Sequence, residues 1–338
     1  MGLVETHWRY RYQGWRLVQM QIETIFPAVF VIALLGGCGG SGGSDGSGGS
    51  DIGGSVPRTS CGSAGAFQRC SLQHDDLTRE YLIYVPNSYS GQGAIPLLLN
   101  FHGYGSNATD QHNYANFRLL ADAEQFVLVV PEGTLLGDRQ HWAVGSWTSE
   151  STTDDIDFVK TLIDTVSSDY LIDATRVYAT GMSNGGYMSY HLACNLSHRI
   201  AAIASVTGSM SFETYDGCRP AQPTSVMQIH GTDDDVVPID GDTWTKPIDD
   251  VIDYWVVYDG CDPEAEVTAV PDSNEDGVIS ERLSYDQCIG GTEVRYYRMN
   301  GMGHIWPETF RGDDLSGASV IWAFLSKYST QGRIDQEM

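Results

Sequence analysis

Apolar residues in this chain recur in short runs that alternate with longer amphipathic stretches. Seven runs are rich in β-forming residues: 81–85, 96–101, 126–130, 177–180, 202–206, 226–230 and 294–297. Several are apolar throughout, which is typical of strands buried on both faces. A helical pattern begins near Asp154 and gathers its apolar residues on one face. This alternation predicts an α/β fold, with a mostly parallel central sheet and helices on both faces.

Polar and glycine-rich segments directly follow several of these predicted strands. Such segments are His102–Ser106, Pro131–Gly133, Gly231–Pro238 and Gly301–Pro307. In open parallel sheets, ligands bind at the carboxyl ends of the strands. We therefore expect a functional site at this edge of the sheet.

A nucleophile is predicted within residues 181–186, which read Gly-Met-Ser-Asn-Gly-Gly between a β-type run and a helical stretch. The Gly-x-Ser-x-Gly pattern between a strand and a helix is typical of a nucleophile elbow, in which a sharp turn exposes the serine. Glycines fit there because a Cβ atom would clash where strand and helix crowd together. The amide of Asn184 would lie at a helix N-terminus, facing developing negative charge. We predict Ser183 as the nucleophile, and an ordinary structural turn is the alternative.

A serine nucleophile needs a histidine base and an acid that orients it, in the chain order serine, acid, histidine for α/β-hydrolases. His191 and His198 fall on or just after the elbow helix, so we expect structural or surface roles for them. His230 ends a strand before an acidic loop and is expected to anchor that loop. His304 follows the last predicted strand and is our candidate for the base. The acid could be any of the three consecutive aspartates 233–235, because spacing alone does not choose among them.

Four motifs in order resemble one family. They are His-Gly-Tyr-Gly at 102–105, Gly-x-Ser-Asn-Gly-Gly at 181–186, His-Gly-Thr-x-Asp-x-x-Val-Pro at 230–238 and Gly-x-Gly-His-x-Trp-Pro at 301–307. Together they resemble the esterase family that joins type-1 feruloyl and acetylxylan esterases to polyhydroxybutyrate depolymerases, over roughly residues 60–328. The resemblance implies an α/β-hydrolase fold and acyl transfer without a cofactor.

The resemblance also implies roles for particular residues. Asp234 stands at the family's acid position, which would complete a triad with Ser183 and His304. The amides of Tyr104 and Asn184 would form the oxyanion hole. Trp306, two residues after the base, is a candidate substrate contact, although core packing is an equal alternative. Weaker candidates for the substrate wall are His102, Trp142 and Trp147.

The chain has seven cysteines. If Cys38 carries lipid, six remain for disulfides, an even set that is typical of an exported protein. Because each pair would bracket one local segment, we favour nearest-neighbour pairing: Cys61–Cys70, Cys194–Cys218 and Cys261–Cys288. The resembled family commonly pairs cysteines as in the last two.

No metal site is expected. The sequence has no Cys-x-x-Cys and no His/Cys cluster with zinc spacing. Residues 272–279 mimic the first half of an EF-hand loop, but Leu283 stands where a bidentate glutamate belongs. A solvated turn is the expected structure, with calcium binding as the alternative.

The N-terminal residues predict export. Residues 25–35 are continuously apolar but shorter than the about 20 residues that span a bilayer. With arginines upstream they fit a signal peptide, whether translation starts at Met1 or at Met20. Leu35–Cys38 resembles a bacterial lipobox, so we divide the chain into a signal peptide with lipidated Cys38 (1–38), a Gly/Ser-rich linker (39–55) and a catalytic domain (56–330). An ordinary signal peptide with an unrelated cysteine is the alternative.

The net charge of the chain limits the classes of binding partner that are expected. Asp and Glu number 44 against 19 Lys and Arg, for a formal net charge of −25. Such a surface repels phosphate backbones, so no nucleic-acid partner is expected. We expect a monomer, either extracellular or anchored by lipid to a bacterial outer membrane. We expect no substrate-binding domain after the catalytic body, which would favour small or soluble esters, including oligomers released from a polymer.

The sequence thus predicts an exported serine esterase, with a feruloyl or acetyl ester of plant polysaccharide as the first substrate and a polyhydroxybutyrate-type polyester or oligomer as the second. A surface-tethered binding module that keeps a hydrolase fold is the alternative of another class, since a fold does not determine a function. A peptidase is a third interpretation, disfavoured because no gating domain precedes the core.

Overall fold

The structure is a computed structural model and describes residues 60–334. The predicted signal peptide, Cys38 and the linker lie outside the described residues. None of the helices within residues 60–334 has the length and apolar composition needed to cross a membrane.

The described chain contains seven α-helices and fifteen strands. The helices are Ala108–Tyr114 (α1), Arg118–Glu124 (α2), Asp155–Asp169 (α3), Asn184–Leu196 (α4), Phe212–Gly217 (α5), Ile248–Tyr258 (α6) and Gly317–Leu325 (α7). The strands are Ser60–Ala64 (β1), Phe67–His74 (β2), Leu77–Tyr84 (β3), Ile95–Phe101 (β4), Val127–Pro131 (β5), Thr134–Leu136 (β6), Arg139–His141 (β7), Ile172–Met182 (β8), Ala202–Val206 (β9), Ser225–Gly231 (β10), Glu266–Ala269 (β11), Glu281–Tyr285 (β12), Val294–Met299 (β13), Tyr328–Ser329 (β14) and Gly332–Arg333 (β15). Single turns of 3₁₀-helix cover Ser146–Thr148, Ile289–Gly291 and Thr309–Arg311.

One large sheet organises the molecule. Its eleven strands follow the order β1-β2-β3-β5-β4-β8-β9-β10-β13-β12-β11. Neighbours from β5 to β13 pair in parallel, and the strands outside them pair antiparallel. All seven predicted strands lie in this sheet, which confirms the predicted α/β fold class. The outer strands β1, β11 and β12 are short, with β1 and β11 largely exposed and β12 half-buried, so they lack the apolar runs that mark the central strands.

Each face of the sheet has its own hydrophobic core. In β4, Leu97 and Leu99 belong to one core and Leu98 belongs to the other, because successive side chains of a strand point to opposite faces. Apolar side chains of α3, α4 and α6 fill the first core, and those of α2 and α7 fill the second. Helices therefore cover both faces, and the central strands are buried throughout.

The predicted helix near Asp154 is α3. Its N-cap is Asp154, whose carboxylate accepts a hydrogen bond from the Asp157 amide at 2.9 Å. Such a cap satisfies one of the free N–H groups that begin every helix and typically contributes about 1 kcal/mol. The apolar face of α3 packs into the first core.

Three disulfides join the expected partners: Cys61–Cys70, Cys194–Cys218 and Cys261–Cys288. The first links neighbouring strands β1 and β2. The second ties α4 to the end of α5, and the third ties the segment after α6 to the segment before β13. Each bridge closes a local loop, which is why nearest-neighbour pairing predicts them.

The sheet register brings the ends of four strands to one edge. Phe101 of β4 pairs with Gly181 of β8, and Met182 pairs with Val206 of β9. Gly231 of β10 pairs with Met299 of β13. The segments that follow β4, β8, β10 and β13 therefore emerge side by side, although they are far apart in sequence.

Candidate active site

Ser183 occupies a strained turn between β8 and α4. Its backbone has φ 54° and ψ −122°, a conformation uncommon for a residue with a side chain. Such strain costs of order 1–3 kcal/mol and persists only where packing holds it. A Cβ atom on Gly185 would stand 2.1 Å from the carbonyl oxygen of Phe101, and one on Gly181 would stand 2.6 Å from the backbone of Gly185. Both glycines of the motif are therefore sterically required.

His304 and Asp234 are joined by hydrogen bonds across the gap between the β10 and β13 loops. Nδ1 of His304 lies 2.8 Å from Oδ2 and 3.0 Å from Oδ1 of Asp234. A carboxylate can only accept, so Nδ1 carries the proton and Nε2 remains the basic nitrogen. No hydrogen bond joins Ser183 Oγ to His304 in this conformation; in unliganded sites such contacts are often long and tighten when substrate binds.

Asp234 differs from its two neighbours in burial and in bonding. Its side chain is fully buried and also accepts hydrogen bonds from the amides of Val236 and Val237 at 3.0 and 2.8 Å. Asp233 and Asp235 are exposed. Burial raises the pKa of Asp234, but the hydrogen bonds from His304 and the Val237 amide outweigh it and hold the pKa below its usual value. The structure thus brings Asp234, of the three aspartates, to His304.

His230 braces the acidic loop, as the sequence analysis expects. Its Nε2–H donates to the carbonyl of Val237 at 2.8 Å, and Nδ1 accepts from the side chain of Gln228 at 2.9 Å. Burial lowers the pKa of His230, although its Nε2 also lies 3.5 Å from Oδ2 of Asp234. It therefore holds the turn in which the Val237 amide meets Asp234.

Two backbone amides are free near Ser183. Asn184 begins α4, so its N–H has no partner within the helix. The N–H of Tyr104 has no protein acceptor among residues 60–334, whereas the next two amides bond to Gln140 and Gly103. Gly103 lies directly against Ser183, and a Cβ atom on it would stand 3.4 Å from the serine Cβ.

His102 lies beneath this turn and is fully buried. Its Nε2 accepts from the amide of Gly133 at 2.9 Å, so Nδ1 carries the proton and donates to the carbonyl of Gly103 at 2.8 Å. Burial lowers the pKa of His102 to about 4, which keeps the ring neutral at ordinary pH. The indole of Trp142 donates to the carbonyl of His102 at 3.0 Å.

A cavity of about 510 Å³ opens beside Ser183. Its lining is formed by Gly103, Tyr104, Ser106, Asp110, Gln111, Asn113, Tyr114, Met182, Ser183, His304 and Arg311. It therefore brings together the predicted nucleophile, the predicted base and the predicted oxyanion turn. The size is within the range of small-molecule sites.

The expectation that Trp306, Trp142 and His102 contact substrate is wrong for this conformation. All three are fully buried and lie outside the cavity lining. Trp306 packs edge-on to Phe117, and its indole donates to Glu308 at 3.2 Å, so it supports the histidine loop from the core. The core-packing alternative for Trp306 is the observed one.

Two other predicted features also fall outside the cavity. Trp147 is half-buried and packs edge-on against Tyr187. The second feature is the segment 272–279, which mimics the start of an EF-hand loop. The Asp272 carboxylate accepts hydrogen bonds from the amides of Asp276 and Gly277 at 3.1 and 3.0 Å. Within residues 60–334, no group of three or more His, Cys, Asp or Glu side chains is arranged to hold a metal ion.

The outer wall of the cavity is formed by residues that no sequence motif predicts. Asp110, Gln111, Asn113 and Tyr114 come from α1, and Arg311 comes from the turn after the histidine loop. None of these residues lies in a recognisable motif. Their place along the chain could have indicated them. Because α1 is the first helix after the His102 turn, it must start at the functional edge of the sheet.

The mostly parallel sheet with helices on both faces is consistent with the α/β-hydrolase fold, and the strained turn at Ser183 lies between a strand and a helix, as a nucleophile elbow of that fold would. Comparison with known proteins agrees with this class. Residues 90–248 match the phospholipase/carboxylesterase family. The chain is 29% identical over 262 residues to feruloyl esterase B of Piromyces equi, a match that covers 74% of this chain and 45% of that protein.

Two further similarities point the same way. A bifunctional acetylxylan esterase/xylanase of Neocallimastix patriciarum is 27% identical over 259 residues, covering 76% of this chain and 34% of the relative. The solved structure of a CE1 ferulic acid esterase from Anaeromyces mucronatus, in complex with ferulic acid, shares the fold with a TM-score of 0.53 and 13% identity, over 78% of this chain and 91% of that one. The chain spans less than half the length of the two curated relatives. These similarities support a place for the chain among the esterases of the α/β-hydrolase superfamily.

Proposed function

We propose that this protein is an exported serine esterase that hydrolyses carboxylic esters through an acyl-enzyme on Ser183. One observation carries the proposal: Ser183 at its strained turn and His304, bonded to buried Asp234, line the same cavity. A binding module would not need a nucleophile, a base and an acid to converge. The similarity to feruloyl and acetylxylan esterases supports the same chemistry.

The first half of the reaction makes the acyl-enzyme. Ser183 Oγ attacks the ester carbonyl while Nε2 of His304 takes the hydroxyl proton. The carbonyl oxygen becomes an anion, and the amides of Tyr104 and Asn184 donate to it. Each such donor typically lowers the barrier by about 3 kcal/mol. The tetrahedral centre then breaks its bond to the alcohol oxygen, which leaves with the proton from His304.

Hydrolysis of the acyl-enzyme repeats these steps with water. Water gives a proton to Nε2 of His304 and adds to the acyl carbonyl. Collapse of the second tetrahedral centre breaks the bond to Ser183 Oγ, which recovers its proton from His304, and the carboxylic acid departs. In both halves, Asp234 holds the imidazole tautomer and stabilises its transient positive charge.

His102 serves as a positioning residue in this scheme. Its Nδ1–H holds the carbonyl of Gly103. That carbonyl and the N–H of Tyr104 belong to one planar peptide, so fixing the carbonyl also fixes the direction of the N–H. Together with the Ser106 amide, which donates to the same carbonyl at 3.1 Å, the neutral ring holds the peptide plane that carries the Tyr104 N–H.

Esters of plant polysaccharides, feruloyl or acetyl, are the first candidate substrates because the curated relatives bear those names. Aliphatic polyesters of the polyhydroxybutyrate type are the second, on the resemblance of the sequence motifs. The three disulfides fit an oxidising compartment and thus export. Lipidation at Cys38 is part of the proposal; absence of [³H]-palmitate incorporation in a bacterial host would remove it.

The test compares wild type with Ser183→Ala on methyl ferulate, acetylated xylan, p-nitrophenyl butyrate and a 3-hydroxybutyrate oligomer. We expect turnover of at least one ester, with a loss of roughly 10⁴-fold or more in the variant, and fluorophosphonate labelling of the wild type alone. The preferred ester decides between the two substrate classes. If no ester shows serine-dependent turnover, the proposal fails and the surface-tethered binding module becomes the better interpretation.

A further inference from the structure

The outer wall of the cavity carries a permanent positive charge at Arg311. It belongs to the 3₁₀ turn Thr309–Arg311, directly after the histidine loop, and lines the same cavity as Ser183. Its guanidinium carbon lies 4.4 Å from the centre of the Tyr114 ring and 5.0 Å from that of Phe310. The mechanism proposed above gives this residue no role.

The protein holds Arg311 in place without neutralising it. Its two terminal nitrogens donate to the backbone carbonyls of Trp306 and Tyr114, each at 3.4 Å. Within the described part of the chain, no carboxylate lies within 4 Å of its guanidinium, although the whole chain has 44 acidic residues and a net charge of −25. Its remaining N–H groups have no protein acceptor among residues 60–334.

We propose that Arg311 forms a subsite for a carboxylate, so that the preferred esters carry an anionic group in addition to the ester that is cleaved. The inference rests on the proposed esterase function and names a substrate class for it. A guanidinium binds a carboxylate through paired, charge-assisted hydrogen bonds. The ring of Tyr114 and the two carbonyls already restrict the Arg311 side chain, so less freedom is lost when a ligand binds.

The cavity lining also contains a negative charge, at Asp110, which should favour one orientation of a bound anionic ester. Asp110 of α1 also lines the cavity, and its carboxylate accepts from the side chain of Asn107 at 2.6 Å. An anionic substrate group would be repelled at Asp110 and attracted at Arg311. One orientation of the bound ester is therefore favoured over its reverse.

Two pairs of esters test this inference and show which side of the ester bears the carboxylate. On the acyl side, mono-4-nitrophenyl glutarate is compared with 4-nitrophenyl butyrate. On the alcohol side, 4-(butyryloxy)benzoate is compared with its methyl ester. Each compound is assayed with wild type and Arg311→Gln, so differences in intrinsic reactivity cancel.

We expect Arg311→Gln to lower kcat/KM about tenfold or more on the anionic member of one pair, mainly through KM, as for loss of a hydrogen-bonded charge. The neutral esters should change less than about twofold. Arg311→Lys, which keeps the charge but loses the planar fork, should fall between wild type and Arg311→Gln. The pair that responds identifies the acyl or the alcohol side.

Arg139→Gln is the matched control. Arg139 packs against Gly105 beside the oxyanion turn but lies outside the cavity lining. We expect this variant to leave the anionic-to-neutral ratio unchanged. If it lowers the ratio as much as Arg311→Gln does, the selectivity comes from the general electrostatic field of nearby positive charges, and the subsite is refuted. Equal loss on neutral and anionic esters in Arg311→Gln, or no loss, refutes it as well.

Failure of the subsite and failure of the esterase proposal give different results. Serine-dependent turnover of neutral esters without charge selectivity overturns only the subsite. If no ester is turned over, the subsite can still be tested by calorimetry, which measures the binding of glutarate and 4-hydroxybenzoate to wild type and to Arg311→Gln. Binding of either anion about tenfold weaker in the variant supports the subsite, and equal or absent binding refutes it.

Discussion

Two buried aspartates, one in the acidic loop after β10 and one at the end of α6, have pKa values shifted in opposite directions. Asp234 accepts hydrogen bonds from His304 and from two loop amides. Asp259 is fully buried and accepts one, from the amide of Thr224 at 3.2 Å, while its Oδ2 has no partner among the described residues. Burial raises the pKa of Asp259 to about 8, whereas hydrogen bonds hold the pKa of Asp234 below its usual value. Hydrogen-bond donors, more than burial, decide whether a carboxylate stays ionised.

The histidines near the cavity also differ in burial and in their hydrogen-bond partners. His102 and His230 are fully buried, and burial lowers the pKa of both. Their ring nitrogens form hydrogen bonds to neutral groups and brace backbone segments, although Nε2 of His230 also lies 3.5 Å from Oδ2 of Asp234. His304 is 16% exposed, and its Nδ1 lies 2.8 Å from the same carboxylate oxygen. Asp234 therefore makes its shorter contact with the imidazole that the proposed mechanism protonates.

Replacing Asp234, the aspartate that accepts hydrogen bonds from several donors, should have the largest effect on kcat. In Asp234→Asn the amide no longer fixes the Nδ1–H tautomer of His304 or its positive form, so kcat should fall roughly 10³- to 10⁴-fold. Stopped assays on p-nitrophenyl butyrate measure this loss. Asp233→Asn and Asp235→Asn are matched controls at exposed positions and should stay within about twofold of wild type. A comparable loss in either control would move the acid role to that residue.

The next effect concerns the neutral imidazole of His102. His102→Leu removes the shorter of two hydrogen bonds to the Gly103 carbonyl and leaves the one from the Ser106 amide at 3.1 Å. The Tyr104 amide should then be less firmly oriented, and kcat should fall roughly 10- to 100-fold with KM little changed. His102→Asn can place an N–H near the position of Nδ1 and should recover part of the loss.

Binding of a trifluoromethyl ketone separates positioning from folding, because the ketone adduct places an oxyanion in the hole. Its affinity should fall in parallel with kcat in His102→Leu. If the melting temperature falls but this affinity does not, His102 has only a structural role.

A smaller effect is expected from Gly231→Ala, which tests the contact between the acidic loop and the histidine loop. A Cβ atom there would stand 1.8 Å from the carbonyl oxygen of Met302, so the two loops must separate. Overpacking of this kind typically costs about 1–3 kcal/mol of stability, and kcat should fall with the altered Asp234–His304 contact. Gly217→Ala, at an open position, is the control and should be neutral or slightly stabilising. Full activity in Gly231→Ala would show that the contact is not needed.

Asp259 should affect stability alone, and its contribution should depend on pH. Its unfolded carboxyl ionises near 3.8 and its folded carboxyl near 8, so the folded state binds the extra proton between these values. The free energy of unfolding should therefore fall as pH rises through this window, by up to about 1.4 kcal/mol per pH unit. Asp259→Asn should flatten the dependence with kcat unchanged. Parallel melting-temperature profiles of the two proteins from pH 4 to pH 8 would contradict the protonated state of Asp259.

The sequence by itself determined the features that depend on local sterics and local patterns. Continuous apolar runs predicted the seven central strands, because strands buried on both faces need them. The spacing of Gly181 and Gly185 around Ser183 predicted the turn, because a Cβ atom at either glycine meets backbone. The disulfides were predictable since each closes a short loop.

Only the tertiary structure decided what depends on how distant segments meet. The pairing of β10 with β13 brings Asp234, and neither adjacent aspartate, against His304. Packing buries Trp306 under the histidine loop, so an aromatic residue near the base is not thereby a substrate contact. The outer wall, with Arg311, is set by where α1 and the turn after the histidine loop come together. The residues of the outer wall follow no local pattern, because their place in the cavity depends on how two segments far apart in sequence pack together.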